Sequence, residues 1–599
     1  MMEFRVWAPV CDAVELVIEK HFHEMDQAEN GWWALDVPDA EPGQDYEFRL
    51  NKKHVSPDPR SLCQPQGVHG PSRLVDLKSF RWTDDSFQAR PLSAALLYEL
   101  HIGTFTPGGA FESAIERLDH LADLGVTHVE IMPIAEFAGS RGWGYDGVFP
   151  FAPHHAYGGP KGLARLVNAC HERGLAVILD VVYNHLGPHG NCLGQFGPYF
   201  TDQYRTPWGS SFNFDGPYSD DVRKFFLDNA TMWLRDYHID GLRLDAVHAI
   251  VDTSATPFLE QLASEVKHLE AQVGRHLILI AESDLNDPRI VRPQQRDGFG
   301  FHAQWNDDFH HAVHAVLTQE TAGYYSDFGG IDDLACVFRR PYLYEGRFSP
   351  HRLRSHGRPA EGVHASSFIA YSQNHDQVGN RSTGERLHQL ISVDLAKVAA
   401  ALTILSPYVP LLFQGEEWAA SSPFQYFVDF SEDPELAKSV VEGRRKEFAG
   451  LQDIDSVPDP QATETFKRSK LNWEELEDDY HQEMLAWYRD LVQVRRRIPA
   501  LVDGRMERVS TSFDDESRTL VVEREGTFLA ANLGLDECQL ELPLGESARI
   551  EITSTADVRT MPDKLVLPGQ SIALVVRPTP STLVQSEQKL DRRLTTRPR

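Results

Sequence analysis

Four short stretches of this 599-residue chain end an apolar run on groups that can do chemistry: "LDVVYNH" (Asp180, Asn184, His185), "GLRLDAVH" (Arg243, Asp245, His248), "IAESD" (Glu282) and "SQNHDQ" (His375, Asp376). Taken singly, a carboxylate at a strand end caps the next helix as readily as it reacts. Three such carboxylates on separate strands, with an arginine and histidines, call for another explanation. Paired carboxylates are what cleavage of a glycosidic bond needs, an anion near C1 of an oxocarbenium-like transition state and a proton donor at the departing oxygen. In "GLRLDAVH", Leu242 and Leu244 alternate with Arg243 and Asp245, so a strand puts the arginine and the acid on one face. There Arg243 keeps Asp245 ionised, as a nucleophile must be. Glu282, beside an ionised Asp245, is pushed up and keeps a proton to donate. The alternative for Arg243 and Asp245 is a structural ion pair; Asp180, ahead of its strand end, reads mainly as a hydrogen-bond anchor beneath the site.

The elements that must position these groups alternate along the chain. "FESAIERLDHLADLG" has helical spacing and a glycine stop at Gly125, "VTHVEIMPI" is a strand, "KGLARLVNACHERG" a helix and "LAVILDVVYNH" a strand. The pattern continues through "VRKFFLDNATMWLRDYHI", "DGLRLDAV", a helix with Thr256 as cap and Pro257 at its first position, "HLILIAESD", "SSFIAYSQNHDQ" and "VPLLFQGEEW". Val/Ile/Leu-rich strands separated by helices mean a parallel sheet under helices. The repeat count predicts an α/β fold, a (β/α)8 TIM barrel, whose active site lies at the C-terminal ends of its strands. Before it, "FRVWAP" and "YEFRL" alternate with period two and predict an N-terminal β-sandwich; after it, "TLVVERE", "TFLAANL", "ARIEITS" and "SIALVVRP" predict a C-terminal antiparallel β domain. The expected units are 1–90, 91–500 and 501–578, with a polar, disordered tail at 579–599.

A net charge of -30 repels phosphate backbones and anionic membranes, so no nucleic acid and no membrane are expected as partners and a neutral substrate fits better. The six cysteines (Cys11, Cys63, Cys170, Cys192, Cys336, Cys538) form no CxxC pair, which argues against a zinc site or a disulfide framework. The first residues lack the apolar core of a signal peptide, and no apolar run reaches membrane-spanning length. The expectation is a soluble cytoplasmic protein, a monomer or weak homo-oligomer, with no cofactor and no metal. The loop "HLGPHGNCLGQFGPYFTDQYRTPWG" is too poor in clustered carboxylates for calcium.

The order and wording of the four stretches resemble the α-amylase superfamily over about residues 95–420. The resemblance implies Asp245 as nucleophile, Glu282 as general acid/base and Asp376 as the group that holds and distorts the sugar before the scissile bond. It also implies that Arg243 orients Asp245 and that His185 and His375 bond hydroxyls of that sugar. Tyr145, in "RGWGYDGVFPFAPHHAYGGP", resembles the aromatic platform beneath it; alternatively Trp143, Tyr145 and Phe149 only pack the loop. "FRVWAP" and "YELHIGTFTPGGAF" resemble the subgroup acting near α-1,6 branches or on modified α-glucans. "AEFAGSRGWGYDG", "FGPYFTDQYRTPWG", "AESDLNDPR", "QWNDDFHHAVHAVLT", "QNHDQVGNR" and "LLFQGEEW" are similar to the family of trehalohydrolases that act on maltooligosyltrehalose. "PFQYFVDF" departs from that family, which more often has a histidine after the aspartate. The resemblance implies retaining hydrolysis of the α-1,4 bond next to a terminal trehalose. Asp287, Glu417, Trp418 and His248 are the candidates for recognising trehalose beyond that bond. The rivals are a 1,4-α-glucan branching enzyme and a catalytically silent glucan-binding scaffold.

Overall fold

The computed structural model describes residues 2–206, 208–448, 457–561 and 563–577. The tail expected at 579–599 lies outside them. Eight parallel strands close into a barrel: β1 (Leu97–Leu100), β2 (His128–Ile131), β3 (Ala176–Val181), β4 (Gly241–Leu244), β5 (Ile278–Ala281), β6 (Ala303–Trp305), β7 (Phe368–Ala370) and β8 (Val409–Phe413), with β8 pairing back to β1. Alternation along each strand divides its side chains between two cores. Leu242 and Leu244 face the surrounding helices in the large core, while Leu97, Ile178, Ile278, Ile280, Trp305, Ile369 and Leu411 fill the barrel interior. Arg243 points inward, in register between Asp180 on β3 and Ile280 on β5.

Two local expectations change, and one strand had no sequence reading. The run 111–124 is two helices, Phe111–Ile115 and Leu118–Leu124, broken at Arg117; Gly125 does close the second, at φ +99°. The helix after β4 starts at Phe258, with Pro257 as the capping residue in extended backbone. Its first N–H is held by a side chain further back, Phe258 N donating to Asp252 Oδ2 at 2.6 Å. Strand β6 has three residues, "AQW", too few to show a period.

The N-terminal region packs two antiparallel sheets, one of Met2–Trp7, Trp32–Val37 and Asp26–Gln27, the other built on Val14–Ile18 and Asp45–Leu50. At the C-terminal side a five-stranded sheet contains Thr519–Arg524, Thr527–Asn532, Arg549–Thr553 and Ser571–Val576 and shares a small core with a three-stranded one.

Candidate active site

Arg243 is the hub. It is fully buried, and its Nη1 donates to both oxygens of Asp180 (2.8 and 2.7 Å) and reaches Asp245 Oδ1 at 3.3 Å. Its Nη2 stands 3.0 Å from Glu282 Oε2, and the Trp305 ring lies 4.1 Å from the guanidinium carbon. The tight partner of Arg243 is therefore Asp180, the group read from the sequence as an anchor, and Asp245 is the more distant one. Asp245 is fixed mainly from the side: Asn184 Nδ2 donates to its Oδ2 at 2.7 Å and to its carbonyl at 2.9 Å. Ala246, next in the chain, has φ +39°, a conformation costly for a residue with a Cβ, and in it donates its N–H to Glu282 Oε2 at 2.8 Å. The strained turn after β4 thus aims the nucleophile candidate and holds the acid candidate on the next strand.

The pKa of Asp245 is raised: burial outweighs the opposing charge of Arg243, which limits the rise without reversing it as the sequence expectation required. Burial also raises Glu282, opposed by Arg243 and reinforced by the negative charge of Asp245. Asp376 is raised the same way, with His375 opposing and Glu282 reinforcing. Asp180, Asp245 and Glu282 share the one guanidinium, so each added negative charge among them works against the ionisation of the others.

On the opposite wall, Tyr145 Oη donates to Asp180 Oδ2 at 2.6 Å and lies 2.8 Å from His375 Nε2, with the two rings stacked at 5.1 Å. Gly144 permits this: its φ is +100°, and a Cβ there would run into the Pro133 carbonyl. His375 Nδ1 is paired with Glu99, which also accepts the His375 N–H at 2.8 Å; Asp376 Oδ1 is 3.4 Å from His375 Nε2. Burial alone would lower the His375 pKa, but Glu99 and Asp376 outweigh it and bring it to about 9. His185 stacks on Trp208 at 5.3 Å and has its pKa lowered to about 4 by burial, so it meets a ligand as neutral imidazole.

These groups share one cavity of about 380 Å³, lined by Tyr145, His185, Asp245, His248, Glu282, His375 and Asp376. Trp143 lines it too, whereas Phe149 is fully buried in the core. Three sequence candidates are elsewhere. Asp287 is turned into a local pair with Arg289, Oδ2 to Nε at 2.7 Å. Glu417 and Trp418 are fully buried on the outer side of the barrel, Glu417 bonded to Tyr98 Oη (3.1 Å) and His120 Nε2 (2.8 Å), and Trp418 packed on His120 and Trp473. Neither reaches the cavity, which removes all three from the trehalose-recognising set. Asp284, Asn380, Tyr426 and Trp208 also line the cavity. Asp284 Oδ2 accepts from Arg352 Nη1 at 2.9 Å, and its Oδ1 faces His248 Nε2 at 3.9 Å. Asp284 was visible in "IAESD"; Glu99 was not, being one acid inside an apolar strand.

The family model described as the alpha amylase catalytic domain matches residues 75–196, and that of carbohydrate-binding module 48, the isoamylase N-terminal domain, matches residues 1–65. A malto-oligosyltrehalose trehalohydrolase from Arthrobacter ramosus is 50% identical over 502 residues, 83% of this chain and 87% of the relative. A 1,4-alpha-glucan branching enzyme from Shewanella baltica is 27% identical over 564 residues, 84% of this chain and 65% of its own. Among solved structures, a putative alpha amylase from Salmonella typhimurium superposes with a TM-score of 0.88 at 37% identity, covering 96% of this chain and 97% of the other.

Proposed function

This chain belongs to the malto-oligosyltrehalose trehalohydrolases, glycoside hydrolases with an alpha-amylase catalytic domain, and from that premise we propose how its residues divide the reaction. The enzyme hydrolyses the α-1,4 bond joining a maltooligosaccharide to a terminal trehalose. Asp245 attacks C1 of the sugar before that bond while Glu282 gives its proton to the glycosidic oxygen, and trehalose departs. Water then loses a proton to Glu282, its oxygen bonds C1, and the Asp245 ester breaks, leaving the maltooligosaccharide with its anomeric configuration retained.

The observation that carries this reading is the shared guanidinium. In the first step negative charge leaves Asp245 and appears on Glu282, and Arg243 touches both, Nη1 toward one and Nη2 toward the other. The positive charge serves both states without moving, which is the condition for preorganised electrostatic catalysis. Two acids on neighbouring nitrogens of one guanidinium also suit the roughly 5–5.5 Å spacing of a retaining pair. Asp180 keeps Arg243 in place. Tyr145, His185, His375 and Asp376 hold the sugar before the bond, Asp376 distorting it toward the planar transition state. Beyond Glu282 the wall belongs to His248, which keeps its trehalose-side role, and to Asp284, which takes the place of Asp287, Glu417 and Trp418.

The catalytic barrel, 91–500, works between the sandwich, 1–90, and the C-terminal β domain, 501–578. Among the described residues no helix is long and apolar enough to cross a membrane. We place the enzyme in the cytoplasm, in keeping with six cysteines all present as free thiols.

The test is product analysis on maltotriosyltrehalose and maltopentaose. The wild type releases trehalose from the first and acts poorly on the second. Asp284→Asn narrows the ratio of the two kcat/KM values roughly tenfold, since an unpaired polar contact on the trehalose side costs on that order. Branched glucan from amylose without water consumption, or an unchanged ratio in Asp284→Asn, overturns respectively the reaction and the subsite.

A further inference from the structure

We propose that His69, His189 and Glu432 form a site for a single divalent transition-metal ion of the zinc class, outside the catalytic cavity. The three come from separate parts of the chain: the end of the N-terminal sandwich, the loop after β3 and the segment before helix Pro434–Glu447. His69 Nε2 and His189 Nε2 face one another at 2.9 Å, with the rings perpendicular. Two imidazole nitrogens about 2.0–2.1 Å from one ion stand about 2.9 Å apart at a right angle and about 3.3 Å apart at a tetrahedral one. Glu432 Oε2 lies 3.9 Å from His189 Nε2 on a side chain 72% exposed and free to swing in.

An independent feature of His189 points to a ligand. Its other nitrogen, Nδ1, faces Asp433 Oδ2 at 3.5 Å. A carboxylate on the Nδ1 side with Nε2 turned toward the ion position is the arrangement that orients metal-binding histidines. Asp433 is itself held, its Oδ1 accepting the Leu436 N–H at 3.0 Å as the cap of its helix. The two histidine loops are also seated on each other. Val68 is buried, and Gly190, at φ +84°, leaves it room that any Cβ would take. The histidine pair is therefore set by packing, and two imidazoles with one carboxylate select zinc, nickel or copper over calcium or magnesium.

An ion at this position ties the sandwich to two barrel loops. His185 and Tyr426, both on the cavity wall, lie four and six residues before His189 and Glu432. The site leaves no trace in the sequence, because no two of the ligands share a motif.

The experiment is isothermal titration of the tag-free, chelator-stripped full chain with zinc chloride, followed by thermal unfolding with and without one equivalent. The wild type takes up one ion and its apparent Tm rises, since an ion bound to the folded chain stabilises it by mass action. His69→Ala and His189→Ala each weaken binding at least tenfold and abolish the Tm shift. Asp433→Asn weakens it roughly tenfold without removing a ligand. Calcium chloride gives no heat. A wild type that binds no zinc at micromolar concentration, or a His69→Ala/His189→Ala double variant that binds it as tightly, overturns the proposal.

Discussion

Two buried charged clusters sit at opposite ends of the same barrel and behave oppositely. At the N-terminal end His171 lies between two carboxylates, Nδ1 2.7 Å from Asp84 Oδ2 and Nε2 2.8 Å from Asp240 Oδ2, with Phe87 stacked on its ring. Asp84 also pairs with His238 at 2.8 Å, and Asp240 accepts the Val177 N–H at 2.8 Å. Each acid there has several partners. Burial works against the charge on His171, but the two acids raise its pKa overall; burial likewise works against Asp84, and the two histidines depress it overall. At the C-terminal end Arg243 is shared among Asp180, Asp245 and Glu282, the acids are raised, and the cluster opens on solvent. Closed and fully paired, such a cluster fastens the chain segment 81–87 to the barrel floor. Open and short of positive charge, it is poised to react and costs stability once pH exceeds the ordinary carboxylate range.

The comparison breaks most directly at Glu282. Glu282→Gln removes the proton donor, and kcat on maltotriosyltrehalose falls about 10²–10⁴-fold. Because the wild-type acid is crowded by Asp245, the amide relieves repulsion, and Tm stays level or rises. A lowered Tm with retained activity would make the mouth cluster structural like the floor. Conversely His171→Ala takes from two buried carboxylates the cation they share, leaving Asp84 with His238 and Asp240 with the Val177 N–H, and chemical denaturation loses about 3 kcal/mol, while kcat of the folded fraction changes less than about twofold. Its pH signature follows from the shifts. The raised His171 contributes in full below its unfolded pKa of about 6.5 and loses that contribution as pH rises through its folded value. The depressed Asp84 contributes above about 3.9 and loses it as pH falls through its folded value. Stability curves of wild type and variant are therefore farthest apart between about pH 4 and 6.5, and a gap that grows toward alkaline pH would refute the assignment.

The convergence of the strand-end groups on one cavity was legible in sequence because a parallel barrel delivers the ends of its strands to one place. Asp245, Glu282 and Asp376 needed only that rule. Glu417 and Trp418 show its limit. They follow β8 by a few residues, but the chain leaves the strand through Gly415 at φ +79° into the single helical turn Glu416–Trp418, which places both side chains behind the barrel. Backbone signs of this kind leave no periodic trace. Asp287 was lost to a nearer cation, Arg289, two residues away. β6 was too short to read, and the break at Arg117 hides inside an unbroken helical pattern. The role of Asn184 depends on a register between β3 and β4 that only the folded barrel sets.

Glu99 gives the smallest effect and the sharpest question, whether the reactive cluster extends down into the barrel. It lies on β1, buried, with both oxygens on His375, one bonded to the backbone N–H and one to Nδ1. Its charge is the leading reason that His375 holds its proton to about pH 9 against burial. Glu99→Gln keeps the shape and removes the charge, so His375 falls below its wild-type value and turns neutral under assay conditions. Asp376 then loses the cation that opposes its burial, and its carboxyl rises further. If Asp376 must be ionised to hold the distorted sugar, the acid limb of kcat/KM moves to higher pH and kcat drops roughly tenfold, the size of one lost charge-assisted contact. A purely structural Glu99 would lower Tm and leave the acid limb in place. NMR titration of the His375 imidazole separates the two directly, because only electrostatic control by Glu99 moves its midpoint down from about 9.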